Sequence, residues 1–458
     1  MTRLKRGRRQ KRSSLPFFLI IILLLAGAGG YAYLTWFEGE KPQIVGNNLP
    51  TYLGKETSVS VTISDQKSGL RSVGMVLIQG ATENIVFSKE YTRSGKNGTG
   101  GTSEETISLT IDTRKLKLKE GEATLKITAT DYSLRGFLKG NSSELSHTVT
   151  VDTKPPKIAI IHSERYIKPG GSGIVIYRAE DTVKHGVMIN SVFHPGFPLT
   201  DGSDAKYISY IALHYSAEAI DDSAIIAEDA AGNKTVKPFN PVLKKANQKK
   251  DRINISDGFL NRKIPEFEEH YPEMEGELVQ KYLYTNRTVR EMNNEKIHDL
   301  CMNPGQKQLW SGKFIRMAGS GRAGFADHRT YFYKDKPIDK QVHLGMDIAS
   351  TKHAGIKAAG TGTVIFGEYL GIYGNMVLLD HGQGVFSLYS HLSQINVAVG
   401  DSLNKGDILG HSGVSGMAGG DHLHFSMLVN GIFVTPKEWW DQHWIDVTID
   451  GPLVDAKF

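Results

Sequence analysis

The stretch His422-Leu-His424-Phe-Ser-Met427 decides how the C-terminal part of this chain folds. Its apolar residues Leu423, Phe425 and Met427 recur at every second position, which predicts a strand. In a strand, residues two apart project from the same face. His422 and His424 then enter one cavity while Leu423 and Phe425 point the other way. Working outward, the sequence offers His343-Leu-Gly-Met-Asp347 and Tyr389-Ser-His391. His343 and Asp347 are four apart, a spacing that gives one face in a strand or a helix. Gly345 lowers helix propensity, so the segment is predicted to be extended or looped. Eight of the sixteen histidines lie between His343 and His443. A lone histidine is more often a hydrogen-bonded core or surface residue, but this ordered set reads as a metal site. Imidazole and carboxylate are the ligands of catalytic zinc centres, with three protein groups and an open fourth position. The single cysteine excludes a thiolate site.

Roughly residues 310–440 resemble the M23 family of zinc metallopeptidases, the lysostaphin-type or LytM-type peptidoglycan endopeptidases. The likeness rests on His343-Leu-Gly-Met-Asp347, Gly374-Asn-Met-Val-Leu-Leu-Asp380-His381-Gly, Tyr389-Ser-His391-Leu, Gly406-Asp407-Ile-Leu-Gly410, His411-Ser-Gly-Val-Ser-Gly416 and His422-Leu-His424-Phe. The resemblance implies that His343, Asp347 and His424 hold Zn²⁺ and that His391 and His422 assist catalysis, their two roles undivided. It implies hydrolysis of peptide cross-links, either D-Ala to diaminopimelate or Gly–Gly, by metal-activated water. One departure is Asp421, where many members carry Pro before His-x-His; it alters the local turn or nearby charge and removes no ligand. Tyr389, two residues before His391, either shares its face and hydrogen-bonds the oxyanion or substrate, or is a packed strand aromatic.

Three further histidines take a structural reading: His381 in a hairpin turn over Asp380–Gly384, His411 opening a glycine-rich turn, and His353 on a loop. Asn375 is a candidate to line the cleft, because Gly371-Ile-Tyr-Gly374 before it lets substrate approach the backbone. Arg316, Arg322, Phe325, Arg329 and Tyr331 resemble the family's lead-in strand beside the groove. A cationic, aromatic wall suits the carboxylates of peptidoglycan stem peptides; solvated arginines beside core aromatics are the other reading. Substrate contacts are thus expected from Tyr389, Asn375 and Arg329.

The chain has 458 residues and a net charge of +5, with 40% hydrophobic and 22% charged residues. Residues 1–14 carry seven positive charges and no acid, which leaves the remainder close to neutral. The 23 uncharged residues from Leu15 to Phe37 predict a transmembrane helix, since about 20 apolar residues span a bilayer core of about 30 Å. Tyr31, Tyr33, Trp36 and Phe37 supply an aromatic belt, and the basic cluster stays cytoplasmic. Ala26-Gly-Ala28 offers the alternative of a signal-peptide cleavage site. The expectation is a single-pass protein of the inner (cytoplasmic) membrane with its catalytic domain in the periplasm. Stem peptides, the inner membrane and cell-wall or division proteins are its candidate partners, and nucleic acid is not. Cys301 reads as a buried small hydrophobe.

The predicted fold class is mainly β: the transmembrane helix (15–37), two Ig-like β-sandwich domains (40–154 and 155–242), a helical linker (243–308), a β-rich M23 peptidase domain (309–445) and a tail (446–458). Alternation in Ser58–Ser64 and Thr124–Thr130 marks strands. Val61-Thr-Ile-Ser-Asp65 is echoed by Ile174–Asp181, and Ile127–Asp131 by Ile226–Asp229, which gives a unit of about 100 residues bounded at Pro155-Pro156. The recurring Asp residues are either turn formers or calcium ligands. The Ig-like domains are a spacer or a glycan- or partner-binding module. Glu266–Asp299 predicts one or two helices broken near Pro272, and a cover over the zinc cleft is one hypothesis for them. The function expected is a zinc endopeptidase. The alternatives are a non-catalytic regulator or activator of another wall hydrolase and an adhesion scaffold.

Overall fold

The computed structural model describes residues 15–93, 102–199, 205–246 and 249–456. Strands dominate, and the chain divides into two compact units, residues 1–154 with 230–233, and 155–229 with 234–458. The basic segment 1–14 lies outside the described residues.

In the first unit a three-stranded sheet (Gln43–Gly46, Glu56–Ser64, Glu104–Asp112) and a five-stranded sheet enclose one core. The alternation in Glu56–Ser64 buries Val59, Val61 and Ile63 and leaves the serines and threonines between them outward. Asp65 and Asp131 cap strand ends: Asp65 Oδ1 accepts the N–H of Gly69 at 2.8 Å, and Asp131 Oδ1 that of Asn141 at 2.7 Å. With Glu38 they form a carboxylate group whose oxygens lie within 4.8 Å.

The expected membrane span is overturned. Among the described residues no helix is long and apolar enough to cross a membrane. The helix Leu15–Trp36 forms, but large apolar side chains run unbroken only from Phe17 to Leu25, and Ala, Gly, Tyr and Thr supply most of the rest. The expected single-pass anchoring in the inner membrane is therefore not supported.

The second unit begins with two four-stranded antiparallel sheets, ordered Phe197–Pro198, Lys206–Ala212, Ser172–Glu180, Lys157–Ser163 and Val192–Pro195, Lys184–Ile189, Ser223–Glu228, Lys234–Pro238. Val187, Ile189 and Ile225 of the second sheet pack with Val175, Tyr177 and Ile211 on one face of the first, and the other face of the first shares a core with the C-terminal part. Ile174, Ile176 and Tyr210 pack with Trp310, Phe314 and Trp439, and Trp439 Nε1 donates to Ser172 Oγ at 3.0 Å. The C-terminal sheet runs in the order Ser320–Ala323, Met346–Ala349, Leu423–Val429, Val385–Ile395, Gly374–Asp380, Gly362–Leu370, Ser402–Leu403.

Residues 243–308 are woven into this unit. Lys250–Ile255 pairs in parallel with Asp327–Tyr333, which pairs antiparallel with Lys336–His343. The helices Asp257–His270, Leu278–Tyr284 and Arg290–Leu300 follow, with the break over 271–277 containing Pro272. Ser256 caps the first, its Oγ accepting the N–H of Phe259. Phe267, Val289 and Ile297 are fully buried against Met376, Leu378 and Phe386 of the sheet. Cys301 joins this core, and burial pushes its thiol pKa up.

Candidate metal centre

Strand pairing assembles the site. Asp347 of Met346–Ala349 stands opposite His424 of Leu423–Val429, and Asp327 pairs with His343 at the end of the adjoining hairpin. His343 Nε2, Asp347 Oδ1 and His424 Nδ1 form a triangle with edges of 3.0 Å (His343–Asp347), 2.9 Å (His343–His424) and 2.9 Å (Asp347–His424). All three residues are buried.

The ring atoms on the far side fix the tautomers. His343 Nδ1 lies 2.8 Å from Gly324 O, a carbonyl that can only accept, so Nδ1 carries the proton and Nε2 turns its lone pair inward. Ser426 Oγ donates to Leu344 O at 2.8 Å and sits 3.2 Å from His424 Nε2. His424 Nε2–H therefore donates to Ser426 Oγ, and Nδ1 presents its lone pair. Two imine nitrogens and a carboxylate oxygen thus face each other with no proton between them, an arrangement that repels itself unless a cation sits among them. Zinc bonds of about 2.0–2.2 Å place tetrahedral donors about 3.3 to 3.5 Å apart, so a small outward adjustment of this triangle accepts the ion. Gly345 is required here: a Cβ would lie 2.5 Å from His424 Nε2 and 2.7 Å from Ser426 Oγ.

The electrostatics suit a metal. Burial raises the Asp347 pKa, but the surrounding His343, His422 and His424 outweigh it, and the carboxyl is held well below its usual range. Burial pushes His424 down to about 4, against the opposing influence of Asp347. A carboxylate and neutral imidazoles are the protonation states that metals bind. Arg329 Nη2 donates to Asp347 Oδ2 at 3.2 Å, which reserves Oδ1 for the centre.

His391 and His422 complete the cluster, with ring centroids 4.8 Å apart. His422 Nδ1 donates to Gly420 O at 2.7 Å and its Nε2 lies 3.5 Å from Asp347 Oδ1. His391 Nδ1 donates to Ser415 O at 2.9 Å. Burial, then the neighbouring His422 and His424, keep His391 well below its usual pKa. Burial also lowers His422, but hydrogen bonding to Asp347 and its charge prevail and raise it. The five residues open on a cavity of about 550 Å³, walled also by Arg322, Arg329, Tyr331, Tyr373 and Phe259.

Residues 341–436, which carry all five, match the model of peptidase family M23. This segment is an M23 peptidase domain. Over 96 residues the chain is 35% identical to the DD-carboxypeptidase/endopeptidase Mpg of Neisseria meningitidis serogroup B, covering 21% of this chain and 22% of that protein. It is 34% identical over 97 residues to the peptidoglycan DD-endopeptidase ShyA of Vibrio cholerae, covering 21% and 23%. It is also 34% identical over 95 residues to the murein hydrolase activator EnvC of Escherichia coli, covering 21% and 23%. The chain therefore spans about a fifth of the length of these relatives.

The M23 domain departs from the sequence reading at two expected substrate contacts. Tyr389 does not share the face of His391. Its hydroxyl accepts the N–H of Ala359 at 2.7 Å and the Ser387 hydroxyl at 2.8 Å, and its ring packs on Phe425 in the core. The two-residue spacing fails because His391 has φ +62° and turns its side chain off the pleat. Asn375 lies outside the metal cavity, its Nδ2 donating to Leu392 O at 3.0 Å and its N–H to Ser415 Oγ at 2.9 Å. Arg329 is at the centre, bonded to a candidate ligand. Asp421 ties the loop before His422 to its neighbours, accepting from Ser412 Oγ at 2.6 Å and from the N–H of His353 at 3.1 Å.

The M23 domain also holds residues the sequence reading passed over. Tyr373 sets its ring edge-on to His424 at 5.8 Å. Ser426, two residues beyond His424 and so on its face, was legible from strand period alone. The carbonyls of Gly324, Ser415 and Gly420 left no side-chain signal.

Proposed function

We propose that this chain is a zinc metalloendopeptidase that hydrolyses peptide cross-links of peptidoglycan, with His343, Asp347 and His424 as metal ligands. The carrying observation is the triangle of unprotonated donors. Bound zinc supplies Lewis acidity for a carbonyl and a water of near-neutral pKa. His391 and His422, their Nδ1 protons fixed on carbonyls, turn Nε2 toward the cavity, where they take up or return a proton; positioned acid–base groups contribute roughly 10²–10⁴ in rate. Arg322 and Arg329 give the wall a positive charge suited to carboxylates of stem peptides. The non-catalytic alternative, an activator as EnvC is named, does not call for an intact set of ligands and paired histidines. We further assign residues 40–154 and 155–242 as Ig-like modules, 243–308 as a helical segment, 309–445 as the peptidase domain and 446–458 as a tail. The test is incubation of the zinc-loaded protein with defined muropeptide dimers, read by mass spectrometry. Monomer release by the wild type and none by His424→Ala supports the proposal; undiminished dimers with both overturn it.

A further inference from the structure

We propose that Glu266 and Lys263, on the helix Asp257–His270 outside the M23 match, are positioning residues for His391. The argument runs through one peptide plane. Ser415 O accepts the Nδ1–H of His391 at 2.9 Å, and the N–H of the same peptide unit, that of Gly416, donates to Glu266 Oε1 at 2.6 Å. A peptide unit is rigid and planar, so fixing its N–H on a carboxylate aims its C=O. The negative charge at the N–H end also polarises the carbonyl into a stronger acceptor.

The loop needs that support. Residues 413–422 join the strands Ile408–Ser412 and Leu423–Val429 and contain Gly413, Gly416, Gly419 and Gly420, a composition with little conformational preference of its own. The helix grips it from outside at three points. Besides Glu266, Lys263 Nζ donates to Val414 O, and Arg262 Nη2 to Gly419 O at 3.5 Å. Lys263 is 4% exposed and holds Glu266 Oε2 at 3.2 Å, which sets the carboxylate's orientation. His391 itself has φ +62°, a conformation that persists only where the surroundings impose it. Its ring is therefore held through the Ser415 carbonyl; the Ser415 side chain is tied to the sheet at Leu392 O (2.8 Å) and Asn375 N–H (2.9 Å), and Glu266 fixes the peptide plane that carries the carbonyl.

This inference rests on His391 acting in hydrolysis, so the experiment reads the ring separately from the chemistry. In full-length protein loaded with zinc and labelled with ¹⁵N-histidine, the slowly exchanging Nδ1–H of His391 is followed by NMR in wild type, Glu266→Ala, Glu266→Gln and Lys263→Met. Zinc content, kcat and KM on a muropeptide dimer are measured in parallel. Glu266→Ala is expected to lose the protected signal and roughly ten- to a hundredfold in kcat, with zinc content retained and KM within about twofold. Glu266→Gln keeps an acceptor and is expected to recover most of both losses. Lys263→Met is expected to weaken both in the same direction. An unchanged signal in Glu266→Ala overturns the proposal, as does a kcat loss that tracks loss of zinc or of fold in both Glu266→Ala and Lys263→Met. A wild type that keeps the signal without cleaving refutes the proposed function and leaves this positioning testable by NMR.

Discussion

Asp347 and His424 face each other across two paired antiparallel strands, with Oδ1 and Nδ1 2.9 Å apart. Residues directly opposite in such a pair hold their Cβ atoms about 4.5–5.5 Å apart, so the sheet's register brings two donors together before any ion binds. A one-residue slip would turn one of them to the other face.

Gly345 sits where that closeness leaves no room. Its backbone lies outside the left-handed region, so alanine is tolerated locally, but the added Cβ meets the His424 ring and Ser426 Oγ. Gly345→Ala is expected to keep the fold by circular dichroism and, by displacing the His424 ring and its Ser426 partner, to weaken zinc binding roughly 10–100-fold in competition with a chelator. Unchanged affinity would contradict the packing described.

Ser426 acts on the same ring from behind. Ser426→Ala leaves His424 Nε2–H without its acceptor, and loss of such an outer hydrogen bond typically costs 10–100-fold in metal affinity. The same titration checks it, with Ser426→Thr, which keeps a hydroxyl, retaining more affinity than alanine.

The helices at 257–300 are core. A chain beginning at Gln306 would expose the sheet residues Met376, Leu378 and Phe386 that Phe267, Val289 and Ile297 now cover. It is expected to aggregate or melt far below the full chain, with no gain in hydrolysis. Phe267→Ala in the full chain should cost about 3–5 kcal/mol in denaturant titrations. A soluble, more active truncation would show instead that the segment is a removable cover.

Stability should fall in mild acid. Burial pushes both His381 and His194 down to about 4, against an ordinary 6.5. Between those values the unfolded chain takes up protons that the folded one refuses, so stability is full above about pH 6.5, declines as pH falls to about 4, and then levels. Each contributes up to about 3 kcal/mol of that loss. Urea midpoints measured from pH 8 to 4 check it, and a flat profile would contradict it.

Much of the centre was legible from side-chain period. Leu423, Phe425 and Met427 gave the strand that puts His422 and His424 in one cavity, and the alternation of Ser58–Ser64 and Thr124–Thr130 falls inside strands Glu56–Ser64 and Gly121–Asp131. The same rule misplaced Tyr389, because a period-2 argument assumes regular φ and His391 breaks it. The carbonyls that orient His343, His391 and His422 belong to distant backbone, which no residue type announces. Helices were legible in residues 266–299 from composition. Their burial against the sheet was not, since Phe267 and Ile297 reveal a partner only once the topology supplies one. Length and lack of charge make the run at 15–37 read as a span, which the described residues do not bear out.

The most direct test of the central claim is the zinc coordination itself, measured by metal analysis and zinc X-ray absorption on the purified protein. The account predicts one zinc per chain with two imidazole nitrogens and carboxylate or water oxygen in its shell, lost in His343→Ala and His424→Ala. Stoichiometric zinc that survives both substitutions, or no zinc in the wild type, would contradict it.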